Sequence, residues 1–99
     1  MPAVAPLILI VDDTADLRNL YAAYFTMLGF RVATAQDGER GIAAAQAQPD
    51  VIVMDISMPR VEHRAREAGA EVVMTKPCFP EDLEAEVQHL LHRRGRAAA

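Results

Sequence analysis

The sequence predicts an α/β domain built as a doubly wound parallel sheet of about four strands. Short apolar runs at residues 7–11, 30–35, 51–54 and 71–75 alternate with segments of helical periodicity. The first and third runs are apolar without a break, as in strands buried on both faces of a parallel sheet. Alternation of this kind argues an open sheet with helices on both faces. Three runs also stop on charged residues, Asp12-Asp13, Asp55 and Lys76.

Leu7-Ile8-Leu9-Ile10-Val11 is the first strand. Thr14 offers an N-cap for a helix from about Ala15. Leu17, Leu20, Tyr21, Tyr24 and Leu28 give that helix an apolar stripe, and Gly29 ends it at the C′ position. A second strand spans residues 30–35. Asp37-Gly38 turns the chain and caps a helix over about 39–48, whose inner face is Ile42 and alanines. Pro49-Asp50 stops it before the third strand. Pro59 closes the next loop, and residues 61–68 form a short charged helix ended by Gly69. A fourth strand over 71–75 leads to Lys76-Pro77. Pro80 suits the first position of a last helix, striped by Leu83, Val87, Leu90 and Leu91. Residues 93–99 read as a basic, alanine-rich tail beyond a core of about 6–92, within one domain over 1–99.

Composition narrows the function. The 99 residues are 52% hydrophobic and 24% charged, which is globular rather than disordered. One cysteine excludes an internal disulfide framework and a multi-cysteine metal site. The net charge of −4 argues against a sequence-independent nucleic-acid binder. The apolar stretch at 3–11 is broken by Pro6 and far short of the ~20 residues of a membrane span. It also lacks the pattern of a secretory signal, so no membrane association and a cytoplasmic location are expected.

In open parallel sheets, ligands bind outside the carboxyl ends of the strands. Asp12, Asp13, Asp55 and Lys76, the sole lysine, all lie at such ends. Clustered carboxylates repel unless a cation sits among them. Magnesium prefers carboxylate and carbonyl oxygens, and a lysine ammonium on its long stem reaches a phosphoryl group. A carboxylate flanked by both is suited to accept a phosphoryl group, whose developing charge the two cations would stabilise. Alone, an Asp-Asp pair would be an N-cap or turn, Asp55 a loop residue and Lys-Pro uninformative; their joint occurrence in a β/α frame points to a pocket.

The stretches LILIVDD (7–13), LGF (28–30), VATAQDG (32–38), PDVIVMDISMP (49–59) and AGAEVVMTKP (68–77) resemble the receiver domain of two-component response regulators. The resemblance implies a flavodoxin-like fold, with Asp55 as phosphoacceptor. It implies Mg²⁺ held by Asp12 and Asp13, with Asp13, Asp55 and the backbone carbonyl of Ser57 as direct ligands. Lys76 would pair with the acceptor carboxylate and then its phosphoryl group, and the Lys76–Pro77 bond would be cis. A histidine kinase or histidine phosphotransfer protein would supply the phosphoryl group, docking at the first helix in the family, although Leu17, Leu20 and Tyr21 mostly face the core. The module would be a phosphoacceptor rather than an enzyme, and with no DNA-binding domain following, its output would run through protein contacts.

The pattern departs from the family after Pro59. The third helix, the fourth strand and the start of the fourth helix are absent, a βα unit of roughly 20–25 residues. The hydroxyl residue that the family carries at the end of that strand has no counterpart. Val73 stands where the aromatic partner of its switch would be, and Thr75 points to the wrong face of its strand to substitute. In one repair the last strand pairs with the third through the short helix. Eight helical residues span ~12 Å, close to the ~17 Å of a five-residue strand. In the other a second copy fills the slot or pairs at the exposed edge as a homodimer. The rival function is a degenerate or engineered receiver, a non-switching interaction scaffold. A magnesium-dependent hydrolase fits poorly, because Asp55-Ile56-Ser57 lacks the second aspartate of the haloacid-dehalogenase-type loop. No G-x-G-x-x-G follows the first strand, which excludes a dinucleotide-binding enzyme. Phe79 is expected to pack rather than cap, Cys78 to fill space, and His63, His89 and His92 to bind no metal.

Overall fold

A computed structural model describes residues 4–55, 59–67, 71–75, 79–93 and 95. The elements run β1 (Leu7–Val11), α1 (Ala15–Met27), β2 (Arg31–Ala35), α2 (Gly38–Ala44), a 3-10 turn (Ala45–Ala47), β3 (Val51–Asp55), α3 (Pro59–Glu67), β4 (Glu71–Thr75) and α4 (Pro80–Arg93). The four strands form one parallel sheet in the order β2-β1-β3-β4. The last strand pairs with the third, Val51 opposite Glu71 and Asp55 opposite Thr75. Of the two repairs for the missing strand, the structure shows the one in which the chain's own last strand pairs with the third.

Alternation along β1 and β3 explains their unbroken apolar character. Ile8, Ile10, Val51 and Val53 point to one face, where they meet Tyr21 and Phe25 of α1 and Leu83, Val87, Leu90 and Leu91 of α4. Leu9, Val11, Ile52 and Met54 point to the other, covered by Ala45 and, partly, by Ile42 and Ala44. Helix α3 packs beside α2 and against β4. The sheet is thus wound on both sides, and complete burial of each such side chain is worth ~1.5–3 kcal/mol. Edge strand β2 is more open, with Arg31 and Thr34 exposed.

The termini of α1 are set by backbone geometry. Gly29 takes φ 96°. Its N–H donates to the Thr26 carbonyl at 3.0 Å, and the Phe30 N–H donates to the Phe25 carbonyl at 3.1 Å. This is a Schellman closure, and the Phe25 and Phe30 rings meet edge-on with centroids 5.7 Å apart. Asp37 caps α2 as the sequence predicts, accepting from the Arg40 N–H at 2.8 Å.

Several local expectations are corrected. Thr14 occupies the N-cap position of α1 but its side chain makes no capping bond; its own N–H is instead held by Asp12. The inward stripe of α1 includes Phe25, which the sequence reading left out, while Leu20 is 49% exposed. At ~100° per residue, Leu20 sits roughly 140° around the helix from Phe25. Helix α2 is α-helical only to Ala44, then tightens into the 3-10 turn before Gln48 at φ 57°. Helix α3 begins at Pro59 rather than Val61, since proline's fixed φ suits a first helical position. Phe79 does not pack: it is 75% exposed, and its carbonyl accepts from the Asp82 and Leu83 N–H groups at the start of α4. The peptide bond between Lys76 and Pro77, and Cys78, lie outside the described residues.

Candidate functional site

All four strands are parallel, so their carboxyl ends share one edge. Strand β1 delivers Asp12 and Asp13 there. Asp12 is only 4% exposed. Its N–H donates to the Ala35 carbonyl at the end of β2, at 3.1 Å. Its carboxylate Oδ1 accepts from the Thr14 N–H at 2.8 Å, and its carbonyl accepts from the Arg18 guanidinium at 2.8 Å. Three bonds from three segments therefore fix the turn between β1 and α1. Asp13 is exposed, with one 3.5 Å contact from the Thr14 hydroxyl to its Oδ1.

The register places Asp55 beside this turn. Val11 pairs with Met54, so Asp12 and Asp55 are the next residues on adjacent strands, which lie ~4.8 Å apart. On its other side Asp55 pairs with Thr75, the residue before Lys76. Backbone placement thus brings Asp12, Asp13 and Asp55 together at the end of the sheet. Lys76 and Ser57 lie outside the described residues. His63 is on α3, and His89 and His92 are on α4.

Among the described residues neither Asp12 nor Asp13 forms an ion pair, and no group of three or more His, Cys, Asp and Glu side chains is assembled. The donors at this edge are nonetheless hard oxygens. Asp12 has one carboxylate oxygen engaged by a backbone N–H, and Asp13 is open to solvent. Oxygen-only donors suit Mg²⁺ and not a thiolate- or imidazole-seeking metal, so the residues fit the ion that the sequence implied.

The sequence reading missed Arg18. Its signal was positional: helical side chains lean towards the N-terminus, so an arginine in the first turn of α1 reaches back over the turn that precedes it. It also missed Asp50, buried at the opposite end of the sheet, whose carboxylate accepts from the Leu7 N–H at 2.9 Å.

The fold and this edge define a signalling receiver, and comparison with known proteins agrees. The model of the response regulator receiver domain matches residues 8–63, and the chain belongs to that family. The transcriptional regulatory protein PrrA of Mycobacterium tuberculosis is 32% identical over 124 residues, covering 95% of this chain and 53% of PrrA. That alignment is longer than the whole 99-residue chain, so PrrA carries residues with no counterpart here. The chain spans about half the length of the curated relatives it matches. The chemotaxis protein CheY4 of Vibrio cholerae is similar in structure, with a TM-score of 0.68 at 26% identity, over 90% of this chain and 100% of that one. A structure of the P1 domain of CheA3 in complex with CheY6 from R. sphaeroides matches with a TM-score of 0.67 at 25% identity, over 91% of this chain and 99% of that one. Among the described residues no helix is long and apolar enough to cross a membrane.

Proposed function

We propose that the chain is a phosphorelay receiver module that accepts a phosphoryl group on Asp55 from a histidine kinase or histidine phosphotransfer protein. The observation that carries this is the register across β1, β3 and β4, which sets Asp55 between the Asp12-Asp13 turn and the end of the strand preceding Lys76. An oxygen of the Asp55 carboxylate attacks phosphorus, the P–O bond forms as the P–N bond to the donor histidine breaks, and the imidazole leaves. Asp12, Asp13, Asp55 and the Ser57 carbonyl would hold Mg²⁺, which supplies positive charge against the transferring oxygens. Lys76 supplies a second positive charge, and the bonds to Asp12 hold the turn rigid. The neighbour solved with the CheA3 P1 domain supports a donor of that class.

Intact-protein mass after incubation with Mg²⁺ and a small-molecule phosphodonor tests the proposal. One added phosphoryl group is expected, and none in Asp55→Asn. No addition under conditions that modify a full receiver would overturn it. Mg²⁺ titration should give a weaker curve for Asp13→Ala than for the parent; superimposable curves would remove Asp13 from the site.

One observation favours the scaffold reading of the same module. With β4 directly beside β3, no strand lies between them to carry the family's hydroxyl residue. The module would then bind partners without a conformational response to phosphorylation, and amide exchange would be unchanged by modification.

A further inference from the structure

The face of the sheet that carries α2 and α3 holds a second candidate site, away from the carboxyl edge. The two helices are neighbours there. Between them lies a cleft of about 560 Å³ lined by Ile42 of α2 and by Arg60, His63, Arg64 and Glu67 of α3. A smaller hollow of about 160 Å³ shares Ile42 and Arg64 with it and adds Ala45 and Gln46. Arg60 and Arg64 are one helical turn apart, so their side chains stand on one side of α3. Neither makes a hydrogen bond or ion pair with a described residue. Among the described lining residues the one carboxylate is engaged, since Glu67 is 3.0 Å from Nε2 of His63.

Like charges one turn apart repel and weaken a helix. The chain as a whole carries a net charge of −4, so this cationic pair runs against the sign of the molecule. Ile42 is half-buried at the cleft and packs against the core beneath α2, offering an apolar footing beside the two guanidinium groups.

We infer that this cleft docks an acidic segment of a protein partner, one presenting two carboxylates about a helical turn apart on either side of an apolar side chain. The guanidinium forks match carboxylates in geometry and charge, and Ile42 receives the apolar residue. The exposure of the rim favours a protein segment over a small molecule. His63 and Glu67 are 76% and 56% exposed, whereas small-molecule pockets cover most of their ligand's surface. Two arginines on an acidic chain are too few to hold a nucleic acid.

The test uses the whole 99-residue protein and a fluorescein-labelled helical peptide with two glutamates four residues apart flanking a leucine, read by anisotropy. The same peptide with glutamines is the control. The acidic peptide should bind roughly tenfold or more tightly than its control, and lose that margin as salt rises. Arg60→Glu with Arg64→Glu should abolish the margin, and Arg64→Gln should reduce it severalfold. These side chains are exposed, and a circular dichroism melt should show both variants folded. Equal binding of both peptides, or undiminished binding by the folded charge-reversed protein, would overturn the proposal. Citrate binding as tightly as the peptide would assign the cleft to a small anion and overturn it too. So would self-association of the chain, seen by sedimentation and lost on charge reversal.

Discussion

Replacing Asp50 with alanine should destabilise this domain markedly. Asp50 is 7% exposed and joins the starts of three strands. Its carboxylate accepts from the Leu7 N–H at 2.9 Å, its N–H donates to the Leu7 carbonyl at 2.9 Å, and its carbonyl accepts from the Glu71 N–H at 3.4 Å. The alanine variant keeps both backbone bonds and deletes the charged acceptor, leaving the Leu7 N–H without its partner in a partly buried setting. Hydrogen bonds to charged groups are worth ~1.5–3 kcal/mol, and partial burial points to the middle of that range, about 2 kcal/mol. For a domain of this size each kcal/mol moves Tm by ~4–8 °C, so a fall of roughly 8–16 °C is expected. Asp50→Asn retains an acceptor and should lose less than half as much. Thermal melts followed at 222 nm measure both. A loss below ~0.5 kcal/mol in Asp50→Ala, within the range of ordinary surface changes, would refute the assignment of Asp50 as the clasp between β1 and β3.

Tyr24 donates to Glu84 at 2.7 Å, and that bond, followed by burial and repulsion from Glu84 and Glu81, pushes its phenol up from 10.0 to about 12. A folded-state value above the unfolded one adds stability below pH 10 that disappears between pH 10 and 12. Ultraviolet titration of Glu84→Gln should show Tyr24 ionising closer to 10, and an unmoved midpoint would discount the Glu84 contact. Leu91→Ala empties a fully buried site between α4 and the sheet and should cost ~2–5 kcal/mol, read by urea denaturation; a loss under 1 kcal/mol would mean that α4 packs loosely. Asp37→Ala removes the side-chain cap on α2 and should cost ~1 kcal/mol, restored largely by Asp37→Ser.

The four strands and their alternation with helices were legible because burial on both faces writes β1 and β3 as unbroken apolar runs, whereas the neighbour of β4 was left open between two pairings and only the structure sets it beside β3; the stripe of α4 was read in full. Errors fell where tertiary contact overrides local pattern. Leu20 and Phe25 both fit an apolar stripe on α1, and only the position of the sheet decides which faces inward. Phe79 is apolar by composition and exposed by its place at a helix start. Thr14 has the chemistry of a capping side chain but makes no capping bond, and the side-chain bond at this turn is the one that the Asp12 carboxylate accepts from the Thr14 N–H. At the carboxyl edge, the identity and alignment of Asp12, Asp13 and Asp55 could be read from strand ends. The bracing by Arg18 could not, because it depends on a long side chain folding back through space. The apolar residues around Asp50 likewise gave no sign that its carboxylate was needed at the start of β1.

The direct pairing of β3 with β4 changes what a strand's ordinal number means. The chain starts inside the sheet, steps out to β2, returns across β1 to β3, and thereafter grows outward along one side. A connecting unit lost from that growing side leaves every earlier pairing intact, from Leu7 through Asp55, and the next strand simply moves inward. Relative to a five-stranded receiver, the end of β4 stands one strand spacing, ~4.8 Å, nearer to Asp55. A change of length on this flank therefore alters the spacing between the end of β3 at Asp55 and the end of β4 at Thr75 while the β1–β2 and β1–β3 pairings stay as they are.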